Sequence, residues 1–399
     1  MAFNKKTIKD IDLKDKTVLL RSDFNVPLDS KGKVANDFRI RSAVPTIESL
    51  IDQNCKVVII SHLGRPKGKP DKKLSLKPVA NHLEKLIEQK VIFVDDCTGK
   101  KAQKAVEGAE LGDVILLENL RFHAEEKIND DNFAKELAKL AEIFVQDGFG
   151  VVHRAHASTD AITKHLPSVA GLLLEREVRN ITNATQRPKK PLTTVVGGAK
   201  IEGKIELLEH FIKISDNLII GGAMANTFLK AMGFNIGLSK FSEEETGEAN
   251  KIIAKCKKTK TKLYLPLDTV AVAKSVDDNA RRREIDIREL ADDDIILDIG
   301  RESLATILNV LKKSGTIIWN GPLGMTELKK FREGSELMAK FLARYHKKDV
   351  IVGGGDTAGF IDQMGLVGKF DLVSTGGGAS LELLAGKKLP GVEALPDKS

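Results

Sequence analysis

Aromatic residues are scarce in this 399-residue chain, at 5% of the sequence with one tryptophan and two tyrosines. Proteins that bind single-stranded nucleic acid stack its bases on aromatic rings, so the chain has little material for such a surface. Its net charge of +7 still favours an anionic partner. The basic runs at 257–262 and 281–283 are more simply interpreted as solvent-exposed surfaces than as surfaces that contact a partner. We therefore expect a small polyanionic ligand and no dedicated nucleic-acid site.

Cysteine is also scarce, and long apolar runs are absent. Cys55, Cys97 and Cys256 are odd in number, far apart and without metal-binding spacing, so we expect reduced thiols in a cytoplasmic protein. The first ten residues contain no apolar stretch, and we expect no secretory signal peptide. No run of about 18 apolar residues occurs, so we expect no membrane-spanning segment.

Short apolar runs alternate with helical patterns along the whole chain, which is typical of parallel sheets with helices on both faces. The strand-like runs begin near residues 17, 56, 113, 142, 193, 217, 316, 349 and 371, and helical patterns cover 76–90, 132–140, 243–257 and 302–311. The length exceeds that of one ordinary domain. The sequence therefore predicts an α/β protein with two doubly wound, Rossmann-like lobes.

The predicted lobes cover 1–166 and 187–386, and a helix over 167–186 joins them. Pro167 starts this helix, and Arg187-Pro188 ends it. The remaining segment, 387–399, either frays or packs back on the first lobe.

Residues that follow the strands are the candidate site residues, because ligands bind beyond the carboxyl ends of parallel strands. The first half places polar and cationic side chains there: Arg21, Asp23, Asn25, His62, Arg65, Arg121, His153 and Arg154. The second half places glycines there, at 197–198, 221–222, 321, 353–355 and 376–378. Taken singly, each arginine is more simply a surface residue or a member of a structural ion pair. Their recurrence predicts that side chains hold a small anion in the first half and that backbone holds a phosphate chain in the second.

The stretch 192–208 combines an apolar strand, a turn at Gly197-Gly198 and a helical pattern that starts near Ile201. Strand, glycine turn and helix direct free N–H groups at one point, which suits phosphate. Lys200 and Lys204 lie four residues apart and are predicted to face that point together. The alternative is a surface turn with two solvated lysines.

Neither familiar nucleotide fingerprint is complete. Residues 198–204 nearly match a P-loop, but Ile205 stands where Ser or Thr would hold Mg²⁺. The first apolar run, 17–25, contains no glycine, so the G-x-G-x-x-G motif of the rival reading, a nicotinamide-dependent dehydrogenase, is missing there.

A set of short motifs follows in order along the whole chain: RSDFNVP (21–27), HLGRP (62–66), ENLRF (118–122), HRAHAS (153–158), GGAK (197–200), WNGPLG (319–324), GGGDT (353–357) and STGGGASLELL (374–384). This ordered set resembles the phosphoglycerate kinase family essentially end to end. The resemblance implies two lobes with the C-terminal tail returning to the first. It also implies transfer of the acyl phosphate of 1,3-bisphosphoglycerate to MgADP, giving 3-phosphoglycerate and ATP. We further expect a cytoplasmic monomer in which hinge closure precedes in-line transfer.

The resemblance also implies roles for individual residues. Those that would hold the phosphoglycerate are Asp23, Phe24, Asn25, Arg39, His62, Leu63, Gly64, Arg65, Arg121 and Arg154. Those that would hold ADP or ATP are Lys204, Gly300, Glu327 (through the ribose), Gly354, Gly355, Asp356 and Thr357, with Asp356 as the Mg²⁺ contact. Those that would surround the moving phosphoryl group are Arg39, Lys200, Lys204, Gly354 and Gly377.

Two positions depart from the family pattern. Ile295-Ile296 stand where the family usually has Trp-Met-Gly before Leu-Asp-x-Gly, which puts adenine contacts there in question. Gly148 replaces a usual alanine, and we expect little effect from this change.

Overall fold

The computed structural model describes residues 3–344 and 349–398. These residues divide into two compact units. Unit 1 comprises the described residues within Met1–Arg179 and Lys388–Ser399, and unit 2 comprises those within Asn180–Lys387. Each unit contains a six-stranded sheet whose neighbouring strands are parallel. In the described part of the chain, no helix has the length and apolar character needed to span a bilayer.

The sheet of unit 1 has the strand order β3-β4-β2-β1-β5-β6. Its strands are β1 Thr17–Arg21, β2 Lys56–Ile60, β3 Val91–Val94, β4 Val114–Leu117, β5 Ile143–Gln146 and β6 Ser168–Ala170. The helices that begin in this unit are α1 Phe38–Ile51, α2 Lys77–Leu86, α3 Gly99–Gly108, α4 Asp131–Ala138, α5 Leu172–Gln186 and α13 Pro390–Glu393.

The near-continuous apolar strands of unit 1 are buried on both faces. Successive side chains of a strand point to opposite faces, so Leu20 packs with α1 and α2 in one core. Its neighbour Leu19 packs with α3 and α4 in the other. The two covered faces leave the strand ends for polar residues, which is where the candidate site lies.

The main sheet of unit 2 has the order β15-β14-β13-β7-β8-β9. Its strands are β7 Leu192–Val196, β8 Asn217–Ile220, β9 Lys262–Tyr264, β13 Thr316–Asn320, β14 Asp349–Gly353 and β15 Leu372–Val373. Its helices are α6 Ile205–Ile214, α7 Gly222–Ala231, α8 Thr246–Lys258, α9 Arg301–Lys313, α10 Glu333–Leu342, α11 Gly355–Gln363 and α12 Gly378–Leu384. The prediction of two doubly wound parallel sheets is confirmed.

A small antiparallel sheet was not predicted from the sequence. Its strands are β10 Thr269–Ala273, β11 Arg283–Asp286 and β12 Ile295–Ile299, in the order β11-β10-β12. Val270 and Val272 of β10 pack in one cluster with Leu229 of α7. The edge strands β3, β6 and β9 were also missed.

The helix predicted over 167–186 is shorter in the structure. It begins at Leu172, and Ser168–Ala170 instead form β6, which pairs with β5. The division between the units falls inside α5, after Arg179. The C-terminal segment of unit 1 is hydrogen-bonded to earlier residues of the same unit. Gly391 N–H donates to the Val152 carbonyl at 2.8 Å, and Lys398 N–H donates to the Asn4 carbonyl at 2.7 Å.

Asp147 follows β5 and holds the start of α5. Its Oδ1 accepts hydrogen bonds from the N–H groups of Leu173 (2.9 Å) and Leu174 (3.1 Å). Burial raises the pKa of Asp147 to about 7, because the loss of solvation outweighs these bonds and the bond from Thr46. A buried carboxyl group therefore satisfies two free N–H groups of the helix end.

We predict that Asp147→Ala lowers the free energy of unfolding by about 1–2 kcal/mol relative to Asp147→Asn, because asparagine keeps an acceptor for the two N–H groups. The folded-state pKa lies above the unfolded value of 3.8, so the folded state retains this proton at pH values where the unfolded state has lost it. Wild type should therefore lose stability relative to Asp147→Asn as the pH rises from about 4 to about 7. Urea unfolding followed by far-UV circular dichroism measures both effects.

Two results would contradict this account of Asp147. One is equal stability of the alanine and asparagine variants. The other is a difference between wild type and Asp147→Asn that stays constant across that pH range.

Candidate functional site

A buried cation lies at the carboxyl end of β1. Arg21 is fully buried, and its Nε donates to the Ser158 hydroxyl at 2.8 Å. Ser158 in turn donates to Glu126, from its hydroxyl to Oε1 at 2.7 Å and from its N–H to Oε2 at 3.0 Å. Burial lowers the pKa of Arg21 and raises that of Glu126, and the charge of each opposes the shift of the other. The arginine charge is therefore fixed in place by a buried counter-charge.

His62 follows β2 and contacts this arginine. Arg21 Nη2 lies 3.2 Å from His62 Nδ1, and a guanidinium has only donors, so Nδ1 accepts and Nε2 carries the hydrogen. Burial lowers the pKa of His62 well below its usual value, and the charges of Arg21, Arg121 and Arg39 lower it further. His62 is therefore neutral at pH 7. Its Nε2–H can donate to an anion.

Hydrogen bonds connect the loops that follow β1, β2 and β4. Arg39 of α1 donates from Nη1 to the Asn25 carbonyl at 2.8 Å and lies 3.4 Å from Asp23 Oδ2. Gly64 donates its N–H to Asn25 Oδ1 at 2.9 Å and accepts from Arg121 Nη1 at 2.7 Å. These bonds hold two of the predicted arginines at one end of the sheet.

Several positive charges lie close together at this end of unit 1. The pKa of Arg121 falls to about 10, chiefly through burial and then through the charges of Arg21 and Arg154. Arg121 remains protonated at pH 7, so the repulsion among these groups persists until an anion binds. Arg154 itself is exposed and donates to His153 Nε2 at 3.1 Å, and Arg65 is also exposed. The arrangement fits an anion with more than one charged end.

Two predicted binding residues have side chains inside the core. Phe24 and Leu63 are buried in the apolar cluster of unit 1. The Phe24 N–H donates to the Ser61 hydroxyl at 2.9 Å, and the Leu63 carbonyl accepts from Asn119 Nδ2 at 2.7 Å. Any contact of these two residues with a phosphoglycerate is therefore limited to their backbone groups.

Arg21 was a candidate site residue from its place after the first strand, but Glu126 and Ser158 were not predicted. Ser158 ends the HRAHAS motif, and Glu126 lies in none of the motifs. The counter-charge of a buried arginine becomes visible only when the fold is known.

In unit 2, glycines allow a close approach between the central strands β7 and β13. A Cβ atom at Gly197 would lie 2.0 Å from the Pro322 carbonyl oxygen. Gly321 has φ +98°, and a Cβ atom there would lie 2.3 Å from the Gly197 carbonyl oxygen. Strands β8 and β9 lie on one side of this pair, and β14 and β15 lie on the other, so the strand order reverses between β7 and β13. Doubly wound sheets bind ligands at such a switch point.

Helix α11 of unit 2 begins directly after Gly354, and its first turn has no capping side chain. Helix α7 begins after Gly221, also without a capping side chain, but the Gly222 N–H donates to the Leu323 carbonyl at 2.9 Å and the Met224 N–H donates to the Gly198 carbonyl at 2.8 Å. Free N–H groups at a helix start form a ready site for phosphate, and α11 offers them. Gly355, Asp356 and Thr357 lie in the first turn of α11, and Gly377 precedes the shorter α12.

Asn320 was missed, although it lies in the WNGPLG motif. Its Nδ2 is buried and has no hydrogen-bond partner among the described residues. The same atom lies 3.2 Å from the positions that Cβ atoms would take at Gly353 and Gly354. The hydroxyl of Thr357 accepts from the Gly321 N–H at 2.8 Å and keeps its own hydrogen. Two donors beside the glycine turn are therefore available to a phosphate.

The helix predicted from near Ile201 begins four residues later, at Ile205, so Lys200 and Lys204 both precede α6. Glu245 accepts the N–H groups of Ile201 and Glu202, and this holds the preceding segment as a loop. Lys204 donates from Nζ to the Gly197 carbonyl, whereas Lys200 is 60% exposed. Burial lowers the pKa of Lys204, and Asp356 opposes that shift.

A cavity of about 410 Å³ lies beside these glycines. Its walls include Gly198, Gly221, Gly222, Leu238, Val276, Ile295, Ile296, Leu297, Leu323, Met325, Glu327 and Asp356. The apolar walls suit a flat base, and the two acids add polar contacts. Gly300 is not among the lining residues: it is buried at the start of α9, where a Cβ atom would lie 2.3 Å from Thr269 Oγ1.

The fold and the strand ends together define a two-unit α/β protein with a cluster of cationic side chains in one unit and glycine turns in the other. The profile of the family described as Phosphoglycerate kinase matches residues 8–387. The chain is 46% identical to the phosphoglycerate kinase of Pelotomaculum thermopropionicum over 99% of this chain and 100% of that relative. It is likewise 46% identical to that of Aquifex aeolicus over 99% of both.

Solved structures agree with these relatives. The phosphoglycerate kinase of Coxiella burnetii has a TM-score of 0.86 at 39% identity, and that of Pyrococcus horikoshii has a TM-score of 0.87 at 30% identity. Each comparison covers 98% of both chains. The chain belongs to the phosphoglycerate kinase family. Its activity is the reversible glycolytic transfer of phosphate from 1,3-bisphosphoglycerate to ADP.

We predict that Gly197→Ala weakens MgADP binding by about tenfold or more, because the added Cβ must separate the turns after β7 and β13. Isothermal titration calorimetry with MgADP measures the change. Gly359→Ala is the matched control, because it lies inside α11 with no atom within 4 Å of its added Cβ. An unchanged dissociation constant for Gly197→Ala would contradict the predicted role of this turn.

Proposed function

We propose that unit 1 holds the phosphoglycerate and unit 2 holds the nucleotide. The crowding of Arg21, Arg39, Arg121 and Arg154 carries the first assignment, because their repulsion disfavours the empty site and a polyanion relieves it. Arginine suits both ends of a phosphoglycerate, since its fork binds carboxylate and phosphate at two points. The residues proposed to contact it are Asp23, Asn25, Arg39, His62, Arg65, Arg121 and Arg154, with backbone groups of Phe24, Leu63 and Gly64.

The nucleotide assignment is supported by the glycine turns beside an apolar cavity. Lys204, Gly354, Gly355 and Thr357 are proposed to hold the phosphates, and Glu327 the ribose. The base lies against Ile295 and Ile296, which line the cavity. Gly300, which follows β12 and packs against Thr269 of β10, is proposed to support this wall.

The residues present fit a Mg²⁺ ion that arrives with the nucleotide. Mg²⁺ is usually held by one or two carboxylates together with substrate phosphates, and Asp356 supplies one exposed carboxylate at the start of α11. When bound, the ion neutralises phosphate charge and leaves Lys204 to act on the transferred group.

The transfer itself requires no general base. The bond from phosphorus to the acyl oxygen breaks, the carboxylate leaves, and an already ionised oxygen of ADP forms the new bond. The chain therefore acts by positioning and charge stabilisation. We assign the charge stabilisation to Arg39, Lys200, Lys204 and the N–H groups at Gly354 and Gly377.

Because the two ligand sets belong to different units, we propose that a hinge within or near α5 closes before in-line transfer. Closure also excludes water, which would otherwise accept the phosphoryl group.

We further propose a cytoplasmic monomer. Cys55, Cys97 and Cys256 are all free and buried, which fits a reducing compartment. Both ligand sets come from one chain, so the reaction needs no second subunit.

We predict that Arg39→Ala lowers kcat by about 100-fold or more, because Arg39 is assigned to charge that develops in the transition state. Arg65→Ala should act mainly by raising KM for 3-phosphoglycerate, since this exposed arginine is assigned to ground-state binding. A coupled assay with 3-phosphoglycerate and MgATP separates the two constants.

The control for these variants is Arg41→Ala. Arg41 lies in the same helix as Arg39, but its Nε pairs with Asp37 at 2.7 Å, and we expect nearly wild-type constants. Equal small effects of Arg39→Ala and Arg65→Ala would contradict the assigned roles.

A further inference from the structure

Asp96, Cys97 and His123 lie together where β3 and β4 end. The two strands are parallel neighbours, so their carboxyl ends meet at one edge of the sheet of unit 1. Each residue offers one ligand atom: a carboxylate oxygen, the thiol sulfur and a ring nitrogen. These atoms all lie within 4.8 Å of one another, and among the described residues this is the one such group of three.

Hydrogen bonds and packing already fix the three side chains. His123 Nε2 lies 3.1 Å from Asp96 Oδ1, and the Cys97 N–H donates to the same oxygen at 2.7 Å. The imidazole packs on the Phe133 ring of α4, with ring centroids 5.2 Å apart. Cys97 is 1% exposed, whereas Asp96 and His123 are half-buried and can turn toward it. The group is therefore arranged before any ion arrives.

The geometry is close to that of a tetrahedral metal site. Bonds to Zn²⁺ of about 2.3 Å from sulfur and about 2.0–2.2 Å from nitrogen or oxygen put ligand atoms roughly 3.3–3.6 Å apart. The separations here are all within 4.8 Å, and side-chain rotation of Asp96 or His123 can supply the closure that remains. No strand or helix has to move.

The ligand types select the metal. Thiolate and imidazole suit Zn²⁺ and similar transition metals, whereas Mg²⁺ prefers oxygen. Three protein ligands leave a fourth position open, and all three residues line a cavity of about 1100 Å³. This cavity also contains Asp95, His82 and Lys85, and it admits water or a small molecule to that position.

We propose that Asp96, Cys97 and His123 bind one divalent transition-metal ion, for which Zn²⁺ is the best fit. On binding, the S–H bond of Cys97 breaks, its proton passes to the buffer, and a metal–sulfur bond forms. The metal takes the place of the hydrogen bond between His123 and Asp96. None of the three residues has a part in the proposed transfer of phosphate.

Metal binding should clamp the loop after β3 to the turn after β4. Both segments are otherwise joined by the bond between His123 and Asp96. An ion that binds only the folded site stabilises the folded state. The melting temperature should therefore rise when Zn²⁺ is added to metal-free protein.

The test uses untagged, chelator-treated full-length protein titrated with Co²⁺, which reports a thiolate ligand through a sulfur-to-cobalt charge-transfer band. We expect this band at one ion per chain, and competition by Zn²⁺. Calorimetry in two buffers of different ionisation enthalpy should show a proton released per ion bound. Cys97→Ser should abolish the band, and His123→Gln should lower Co²⁺ affinity about tenfold or more.

Cys256→Ser is the matched control, because Cys256 is another buried free thiol, in α8 of unit 2. It should leave the band and the affinity unchanged. The proposal is overturned if wild type shows no charge-transfer band, if the band survives Cys97→Ser, or if His123→Gln binds as tightly as wild type. If Cys97→Ser fails to fold, two measurements still test the proposal: the proton released when wild type binds an ion, and the Co²⁺ affinity of His123→Gln.

Discussion

The linkage of Arg21 through Ser158 to Glu126 is the interaction on which the site of unit 1 depends. It holds a positive charge in a fully buried position at the end of β1. Burial lowers the pKa values of His62 and Arg121, and the Arg21 charge lowers both further, so that His62 is a neutral donor. Removing one partner of a buried charge pair leaves the other uncompensated, at a cost of about 3–5 kcal/mol. The fold thus maintains a crowded cationic surface that an anionic substrate completes.

Unit 2 meets the same demand for anion binding without such crowding. Its central strands end in glycines that let the turns after β7 and β13 touch, and its helix α11 begins with N–H groups that no side chain caps. Backbone donors carry only partial charges, so several can converge without strong repulsion. Side chains suit a small acid with charged ends, whereas backbone N–H groups suit a phosphate chain.

The two doubly wound sheets could be predicted from the sequence because buried parallel strands are nearly continuous apolar runs. The motifs lie at the ends of these runs. Prediction from the sequence failed where local pattern is weak or where long-range packing decides. The sequence of β12, Ile295–Ile299, does not alternate between apolar and polar residues, so this strand was not predicted. Glu245 accepts the Ile201 N–H and holds the segment before α6 as a loop, although the sequence pattern predicted a helix there. Glu126 and the unpaired amide of Asn320 are defined by burial, which no motif records. The grouping of Cys97 with His123 depends on strand order, so sequence spacing could not reveal it.

Hydrogen–deuterium exchange with one ligand at a time tests the central claim most directly, which is that each unit binds its own substrate. The account predicts that 3-phosphoglycerate alone slows exchange in segments 21–25, 61–65, 119–123 and 151–156. MgADP alone should slow it in segments 197–200, 221–224, 354–357 and 376–378. Protection of the glycine segments by 3-phosphoglycerate, or of the arginine segments by MgADP, as the main effect would contradict the account.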